Sequence, residues 1–336
     1  MTYSQGSTIQ ASDYNTFVSG TGNNLSNVWG VGSGSFGWGQ NTTNIANVAI
    51  SSTVSSVSWA TLVANLTSAV AQTGSGVTLP AQPVPGNTIT ALANIATAIN
   101  AITANRGNAV ASGTTYGTFS GTVSKATGTG SGQSAWTITF TNTVQFANAT
   151  AARYFFNAGG LIKLMYGKSS TGTSNDPTWN TLAGQCGNIF FAGNVNGSAN
   201  IAGTVYNAGA TRIGGSGGTQ STLATVNGFY NLTPGGAAVT LFKLTDATSP
   251  YTNDYIQSNV SLDSNSQNLI FTTTWVDGGT STAGATRNIS GGTQVASPAT
   301  AIGSATGPTT LLNYIPPSIN NLTNSWGTPN ITCTVA

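Results

Sequence analysis

Few residues in this 336-residue chain could carry out acid–base chemistry. It contains no histidine, and its six acidic residues are Asp13, Asp176, Asp246, Asp254, Asp263 and Asp277. No two of them have the short spacing typical of a general acid and base, and two cysteines without histidine form no catalytic dyad. Asp254 and Asp263 could hold Ca²⁺ or Mg²⁺ with backbone carbonyls, although aspartates that bond their own turns are favoured. We predict a chain that is not an enzyme and binds no cofactor.

Two glycine motifs resemble phosphate-binding loops. Gly32, Gly34 and Gly37 match G-x-G-x-x-G, but they follow a predicted helix rather than a strand, and no acidic residue lies about 20 positions further on. Residues 167–169 (GKS) resemble the end of another phosphate loop, but Ile162 occupies the position of its first glycine. Neither motif therefore predicts a nucleotide site.

The segment QFANATAARYFFNAGGLIKLMYG, residues 145–167, concentrates aromatic and basic side chains. Arg153 lies within it, but the chain offers no histidine or glutamate as a catalytic partner. The pattern instead predicts a short helix, ATAARYFFNA, capped by Asn148 or Thr150 and ended by a glycine pair. We expect this helix to lie over the edge of a sheet.

The composition is unusual in its polar part. Charged residues make up 4% of the chain, against about 25% in average soluble proteins, and the formal net charge is +2. Because 39% of the residues are hydrophobic, the chain should fold, and because like charges are rare, copies should associate. Single, scattered basic residues argue against nucleic acid as a partner, and no apolar run reaches membrane-spanning length. Cys186 and Cys333 are expected to be buried free thiols.

Three amphipathic helices are predicted in the first 110 residues. The first is capped by Asp13 and runs to Val28, before a glycine-rich break at residues 29–40. The second, SWATLVANLTSAVAQTG, is capped by Ser58 and ends at Gly74. A third, TITALANIATAINAITANRG, follows a proline-bearing connector.

The apolar stripes of the last two helices consist of Trp59, Leu62 and Leu66, and of Leu92, Ile95, Ile99 and Ile102. Such stripes need a packing partner, because short helices are marginal alone in water. Two interpretations stay open: an ordinary helical layer, or a module for oligomerisation and docking.

From about residue 111 the chain is rich in Thr, Gly and Ser with strand alternation. In SAWTITFTNTV, Ile138 and Phe140 point one way while Thr137, Thr139 and Thr141 point the other. NLIFTTTWVDGG repeats the pattern, and further strands are predicted at LIKLMYG, GNIFFAGNV, NIAGTVYN, GFYNL, AVTLFKLT, SNVSL and NITCTV. The predicted fold class is α+β, mainly β: a helical module over 1–110, then an antiparallel β-sandwich or jelly-roll-like region over 111–336, with a possible split near 205–220.

Several motifs, in order, resemble virion structural proteins of tailed bacteriophages, especially phages of marine cyanobacteria. They are IQASDYN at residues 9–15, VWGVGSG at 28–34 ending in WGQ, WATL at 59–62, ARYFFNAGG at 152–160, GFYNLT at 228–233 and the tyrosine-rich stretch at 251–260. The resemblance spans most of the chain. It implies a structural virion part with no established catalytic residues.

Composition and resemblance together predict a non-enzymatic fibre, whisker or tail or neck appendage, assembled in the host cytoplasm into the virion. We expect a homotrimer that contacts other virion proteins through its N-terminal part, with no nucleic acid or membrane partner. Tyr251 and Tyr255 are candidate contacts to a host surface glycan, although aromatic residues more often belong to the core. The alternatives are a capsid decoration protein and a tailspike that binds or cleaves glycans, which would need a carboxylate pair such as Asp254 and Asp263.

Overall fold

The computed structural model describes residues 10–20, 22–82, 92–108, 122–125, 136–169, 176–193, 198–201, 204–207, 209–215, 219–247, 252–278, 292–295 and 307–336. Helices dominate the first third of the chain. The α-helices are α1 (Ala11–Val18), α2 (Leu25–Trp29), α3 (Ser56–Thr73), α4 (Leu92–Asn105), α5 (Ala149–Asn157) and α6 (Asp176–Cys186). Single turns of 3₁₀-helix lie at Thr43–Ile45, Arg106–Asn108 and Phe229–Asn231.

The first predicted helix is in fact two helices. Between α1 and α2 the chain leaves the helical path, and Asn24 restarts it by accepting a hydrogen bond from the Asn27 amide at 3.0 Å. Asp13, predicted as the cap, lies one turn inside α1. Its carboxylate accepts from the amide of the actual capping residue, Gln10, at 3.1 Å. Glycine and asparagine between the helices outweigh the apolar periodicity that suggested one helix.

The helix α3 begins three residues earlier than predicted. Ser55 is its cap, and the Ser55 hydroxyl accepts from the Ser58 amide at 3.1 Å, so Ser58 is the recipient of the cap rather than the cap itself. The predicted end is confirmed, because Gly74 has a left-handed φ of 59°. Glycine reaches this region without steric cost, which explains why the helix stops there.

The strands form two larger antiparallel sheets and two small ribbons. In the described residues they are β1 (Thr122–Lys125), β2 (Trp136–Gln145), β3 (Leu161–Ser169), β4 (Asn188–Phe191), β5 (Ser198–Ile201), β6 (Thr204–Asn207), β7 (Ala210–Ile213), β8 (Thr219–Leu223), β9 (Val239–Thr245), β10 (Tyr255–Leu262), β11 (Asn268–Asp277), β12 (Gly292–Val295), β13 (Gly307–Ile315) and β14 (Asn330–Val335). One sheet has the order β14-β2-β11-β10-β9-β8 and the other β13-β3-β4-β7, while β1 pairs with β12 and β5 with β6.

The two sheets pack against each other through alternating inward side chains. Phe191 of β4 meets Phe271 of β11 edge to face at 5.4 Å between ring centroids. At another point Tyr166 of β3 stacks on Phe242 of β9 at 6.0 Å. Sheet faces that bury alternate residues in this way define a β-sandwich. The mainly β fold with a short N-terminal helical region is therefore confirmed.

The main hydrophobic cluster extends through both predicted regions of the chain. It contains helical residues such as Trp59 and Ile99 together with sheet residues such as Phe140 and Phe242. The cluster also includes residues on both sides of the split predicted near 205–220. The helices therefore lie against the sandwich rather than apart from it.

Two of the predicted strands were wrong. GFYNL is not a strand, because Phe229–Asn231 forms a 3₁₀ turn in which Asn231 Oδ1 accepts from the Gly228 amide at 3.1 Å. The ring of Phe229 stacks on Phe156 of α5 at 4.6 Å, which fixes this turn over the helix. NIAGTVYN, predicted as one strand, divides into β5 and β6.

Candidate functional site

A network of hydrogen bonds joins the helical part to the sandwich, and Asn157 lies at its centre. At the last residue of α5, the Asn157 side-chain amide donates to three carbonyls of the glycine-rich loop, those of Gly34, Phe36 and Gly37, at 3.2, 3.0 and 3.0 Å. Its backbone carbonyl accepts from the Trp38 indole at 2.9 Å. Only 4% of Asn157 is exposed, so its bonds to Gly37 and Trp38 are protected from water, while those to Gly34 and Phe36 are partly exposed.

Tyr230 completes this network from the sandwich side. Its hydroxyl lies 2.5 Å from Asn157 Oδ1 and 3.0 Å from the Gly34 carbonyl, and it donates toward both. Burial raises the pKa of the Tyr230 phenol, although the nearby guanidinium groups of Arg153 and Arg106 oppose the shift. The phenol therefore stays protonated and remains a donor.

Two arginines hold the same loop from its flanks. Arg153 donates to the Val31 carbonyl at 2.8 Å, and Arg106 donates to the Ser35 carbonyl at 3.3 Å. Arg106 also lies 4.0 Å above the ring of Phe36, and its desolvation lowers the pKa of its guanidinium. In the described part of the chain both arginines bond to carbonyls and hydroxyls rather than to carboxylates. We call loop residues 30–39, Asn157, Tyr230, Arg106 and Arg153 the joint.

The loop of the joint is shaped by glycine. Gly37 has a φ of 95°, and a Cβ placed on it would collide with the Val31 carbonyl oxygen. This close approach explains the G-x-G-x-x-G pattern without a nucleotide, and it agrees with the prediction of an ordinary loop. The segment at 145–167 also has the predicted local structure, the short helix α5 followed by the strand β3. Asn148 rather than Thr150 caps α5, accepting from the Ala151 amide at 2.9 Å.

Further bonds tie the helical region to the sandwich at other points. Gln72 of α3 donates to the Ala158 carbonyl at 3.0 Å. Gln40, just after the loop, donates to the Thr323 carbonyl at 3.0 Å and accepts from the Thr323 amide at 2.8 Å. The residues between β13 and β14 therefore contact the segment that follows the glycine-rich loop.

The predicted docking residues are inside the folded chain. Exposure is at most 3% for the residues Trp59, Leu62, Leu66, Ile95, Ile99 and Ile102, while the side chain of Leu92 lies outside the described set. Tyr14 of α1 packs edge to face on Trp59 at 5.1 Å. The apolar stripes are thus covered by the chain itself, as the interpretation of an ordinary helical layer requires. A docking role of the helical region stays a prediction and would use other side chains.

The aspartates that could have formed a metal or catalytic pair lie at opposite ends of one strand. Asp254 precedes β10 and Asp263 follows it, so about 30 Å of extended chain separates them. Asp263 Oδ1 accepts from the amides of Gln267 and Asn268 at 2.8 and 2.9 Å, which is the predicted turn role. Asp254 and Asp263 are therefore too far apart to hold one Ca²⁺ or Mg²⁺ ion together, and this alternative is wrong. Within the described residues, no group of three His, Cys, Asp or Glu side chains could hold a metal ion.

The two cysteines are not joined in a disulfide, as predicted, although only Cys186 is fully buried. Cys333 is half-buried in β14, where desolvation raises the pKa of its thiol to about 12. Both thiols therefore stay protonated at neutral pH.

The outer face of the six-stranded sheet is rich in neutral polar side chains, although Ile270 and Val276 of β11 and Lys243 of β9 belong to the same face. β2 contributes Thr137, Thr139, Thr141 and Thr143, β11 contributes Thr272 and Thr274, β14 contributes Thr332 and Thr334, and β10 contributes Gln257 and Asn259. All ten are half-buried or exposed, and the alternate residues of the same strands point into the core. We call these ten residues the threonine face.

The strand register sets the spacing of this face. Thr141 is paired with Thr272 on one side and with Thr334 on the other, and Asn259 continues the row beyond Thr272. Neighbours in a row are about 4.8 Å apart across strands, and successive rows are about 6.8 Å apart along a strand. The sequence predicted the outward threonines of β2, but not their alignment with those of β11 and β14.

Tyr255, one of the two predicted contact aromatics, lies at the border of the threonine face. It pairs with Val276 of β11 and Thr245 of β9. The Lys243 ammonium lies 4.0 Å from the centroid of its ring. Tyr255 is half-buried, whereas Tyr251 lies outside the described residues.

Comparison with known proteins found no match to this chain. No family model matches the chain, and no curated protein sequence or solved structure matches it. In the described part of the chain, none of the helices combines the length and hydrophobicity needed to cross a lipid bilayer.

Proposed function

We propose that this protein is a non-enzymatic structural component of a tailed-phage virion, a fibre, whisker or tail or neck appendage that assembles as a homotrimer. The order of its sequence motifs, which resembles that of cyanophage virion proteins, supports this function. The β-sandwich with a helical N-terminal region is compatible with a virion component. The fold does not by itself specify this function, because folds of this kind serve many roles.

The observation that carries the proposal is the nearly uncharged surface. Only 14 of the 336 residues are Asp, Lys or Arg, and several of the cations bond to carbonyls of their own chain. Copies of such a protein repel one another very little, so they pack closely at the high local concentration of a virion. A free monomer with the same surface would precipitate readily.

The exposed apolar residues favour attachment through the N-terminal region. Of the large hydrophobic side chains exposed in the described residues, three lie before residue 60: Val31, Ile50 and Val57, at 65%, 86% and 70% exposure. Ile50 and Val57 flank the start of α3. We propose that these two side chains, rather than the buried stripes of α3 and α4, contact the neighbouring virion protein.

Particle labelling tests this function. Antibodies against the purified chain should label intact particles at the tail or neck in negative-stain images, whereas labelling over the head would indicate a capsid decoration protein. Light scattering of the purified chain should give the mass of three copies, and a monodisperse monomer would contradict the trimer.

Incorporation into particles tests the attachment surface. The double variant Ile50→Asn with Val57→Asn should fold but be missing from particles assembled in infected cells. The matched control is Val226→Asn, an equally exposed valine of the sandwich, at 68%, which should be incorporated normally. Normal incorporation of the double variant would exclude this surface.

A further inference from the structure

We infer that the threonine face binds a neutral polysaccharide. The inference deepens the proposed function and rests on it, because a virion appendage would present this face to the surface of a host cell. It assigns the contact with the polysaccharide to the outer side of the six-stranded sheet, and Tyr255 lies at the border of this surface.

The first argument is the kind of hydrogen-bonding group on this face. Each threonine hydroxyl can donate one bond and accept two, while the Gln257 and Asn259 amides both donate and accept. The Gln257 amide already donates to Asn259 Oδ1 at 3.0 Å, which orients both side chains along β10. A ligand covered in hydroxyl groups can satisfy such a surface in either direction.

The second argument is the absence of charge from the ten residues of the face. Nucleic acids and acidic glycans are bound through several cations, whereas the neighbouring strand β9 adds one cation to this side of the sheet: Lys243, which pairs with Gln257 and whose ammonium lies over the Tyr255 ring. Protein interfaces are enriched in aromatic residues, Met and Arg at their centre, and the face has none of these. A neutral, extended and polar ligand remains as the best match.

The third argument is regularity. Two rows, those through Thr139 and Thr141, are polar across β2, β11 and β10, whereas Ile270 and Val276 interrupt the rows on either side. The two rows are about 6.8 Å apart along the strands and their side chains about 4.8 Å apart across them, so a repeating ligand can make the same contact in both rows. One such contact is weak in water, but three copies of the face in a trimer would bind one long polysaccharide at several points. Tyr255 offers an aromatic surface against which a sugar ring can pack.

The test measures retention of the purified full-length assembly in native gels that contain dextran, mannan or galactan. Alginate and heparin serve as acidic probes. At least one neutral polysaccharide should retard the protein, and the acidic ones should not. Retention by none of the neutral polysaccharides, or by the acidic ones alone, would overturn the inference.

Two sets of variants locate the site. Thr141→Lys with Thr274→Lys places bulk and charge on the face and should weaken retention by about tenfold or more. Thr141→Val with Thr272→Val removes two hydroxyls while it keeps the shape and the strand preference, so it remains informative if the lysine variant does not fold. The controls are Thr53→Lys and Thr53→Val, at an exposed threonine before α3, which should bind as the wild type does.

The experiments distinguish a failure of this inference from a failure of the proposed function. If labelling places the protein on particles but the face variants bind polysaccharide as the wild type does, only the inference fails. If the lysine variant instead changes the mass of the assembly, the face is an interface between copies, which also overturns the inference. Absence of the protein from particles would contradict the proposed function, whatever the gels show.

Discussion

The joint and the threonine face are both built from neutral polar residues, yet they use them in opposite ways. At the joint, Asn157 and Tyr230 bond to loop carbonyls of the same chain, and little hydrogen-bonding capacity is left for another molecule. On the threonine face, side chains such as Thr141 and Thr272 alternate with core residues and turn toward solvent. Neutral polar side chains thus bond within the chain at the joint and face solvent on the threonine face. The difference lies in the backbone that positions them.

The largest expected effect comes from removing the centre of the joint. Asn157→Leu would remove one donor from three loop carbonyls, of which that of Gly37 is buried and that of Gly34 keeps its bond from Tyr230. It would also remove the acceptor of the buried Tyr230 hydroxyl, and we expect a loss of roughly 3 kcal/mol in the free energy of unfolding. Urea denaturation measures this loss in the free energy of unfolding. The control Asn23→Leu, at an exposed asparagine, should change stability by less than about 0.5 kcal/mol. Equal losses for the two variants would mean that the hydrogen bonds of Asn157 stabilise the fold no more than an exposed asparagine does.

A smaller effect is expected from Gly37→Ala. The alanine Cβ would collide with the Val31 carbonyl in a backbone region that disfavours L-residues, so we expect a loss of about 2–3 kcal/mol. Gly34→Ala is the matched control, because Gly34 also has a positive φ, of 53°, but has open space at its Cβ. It should lose only about 1–2 kcal/mol. If the control loses as much as Gly37→Ala, backbone conformation rather than close packing shapes the loop.

Alkaline pH should loosen both the joint and β14, the edge strand of the threonine face, beginning with β14. Burial raises the pKa of Tyr230, as it does that of Tyr166 and of both cysteines. Their contribution to stability is therefore complete below the unfolded values of 9.0 for Cys and 10.0 for Tyr, and is lost as the pH rises toward the folded values. Cys333 lies in β14 between Thr332 and Thr334, so its contribution is lost from about pH 9 upward, before that of Tyr230 in the joint. Hydrogen exchange should therefore speed up in β14 first and at residues 30–39 at higher pH, and the reverse order would contradict this prediction.

The smallest effect concerns the inner side of the strand that carries the threonine face. Asn142 of β2 is fully buried, and neither atom of its amide has a hydrogen-bond partner among the described residues. Asn142→Leu should therefore leave stability unchanged or raise it by up to about 2 kcal/mol, measured by urea unfolding. Thr141→Ala, the neighbour on the outer face, should cost less than about 1 kcal/mol. A large loss for Asn142→Leu would indicate that a bound water or another group satisfies the amide.

Much of the local structure could be predicted from local patterns. The stripe of α3, its end at Gly74, the cap of α5 at Asn148 and the alternation of Ile138 with Thr139 all follow from neighbours within a few residues. The division of the first helix was missed, because the side-chain cap at Asn24 competes with the periodicity that continues across it. The 3₁₀ turn at Phe229–Asn231 was wrongly predicted as a strand, because the turn packs on Phe156, which is distant in the sequence.

The sequence by itself determined that this protein has very few groups for catalysis, that its first third is helical, and that its strands turn threonine toward one side. Only the tertiary structure decided that Asn157 reaches carbonyls about 120 residues earlier in the chain, and that β2 lies between β11 and β14 so that their threonines form one surface. The physical reason is the range of the interactions. Periodicity and capping act within a turn or a strand, whereas register and side-chain contacts with distant carbonyls exist only once the chain has closed on itself.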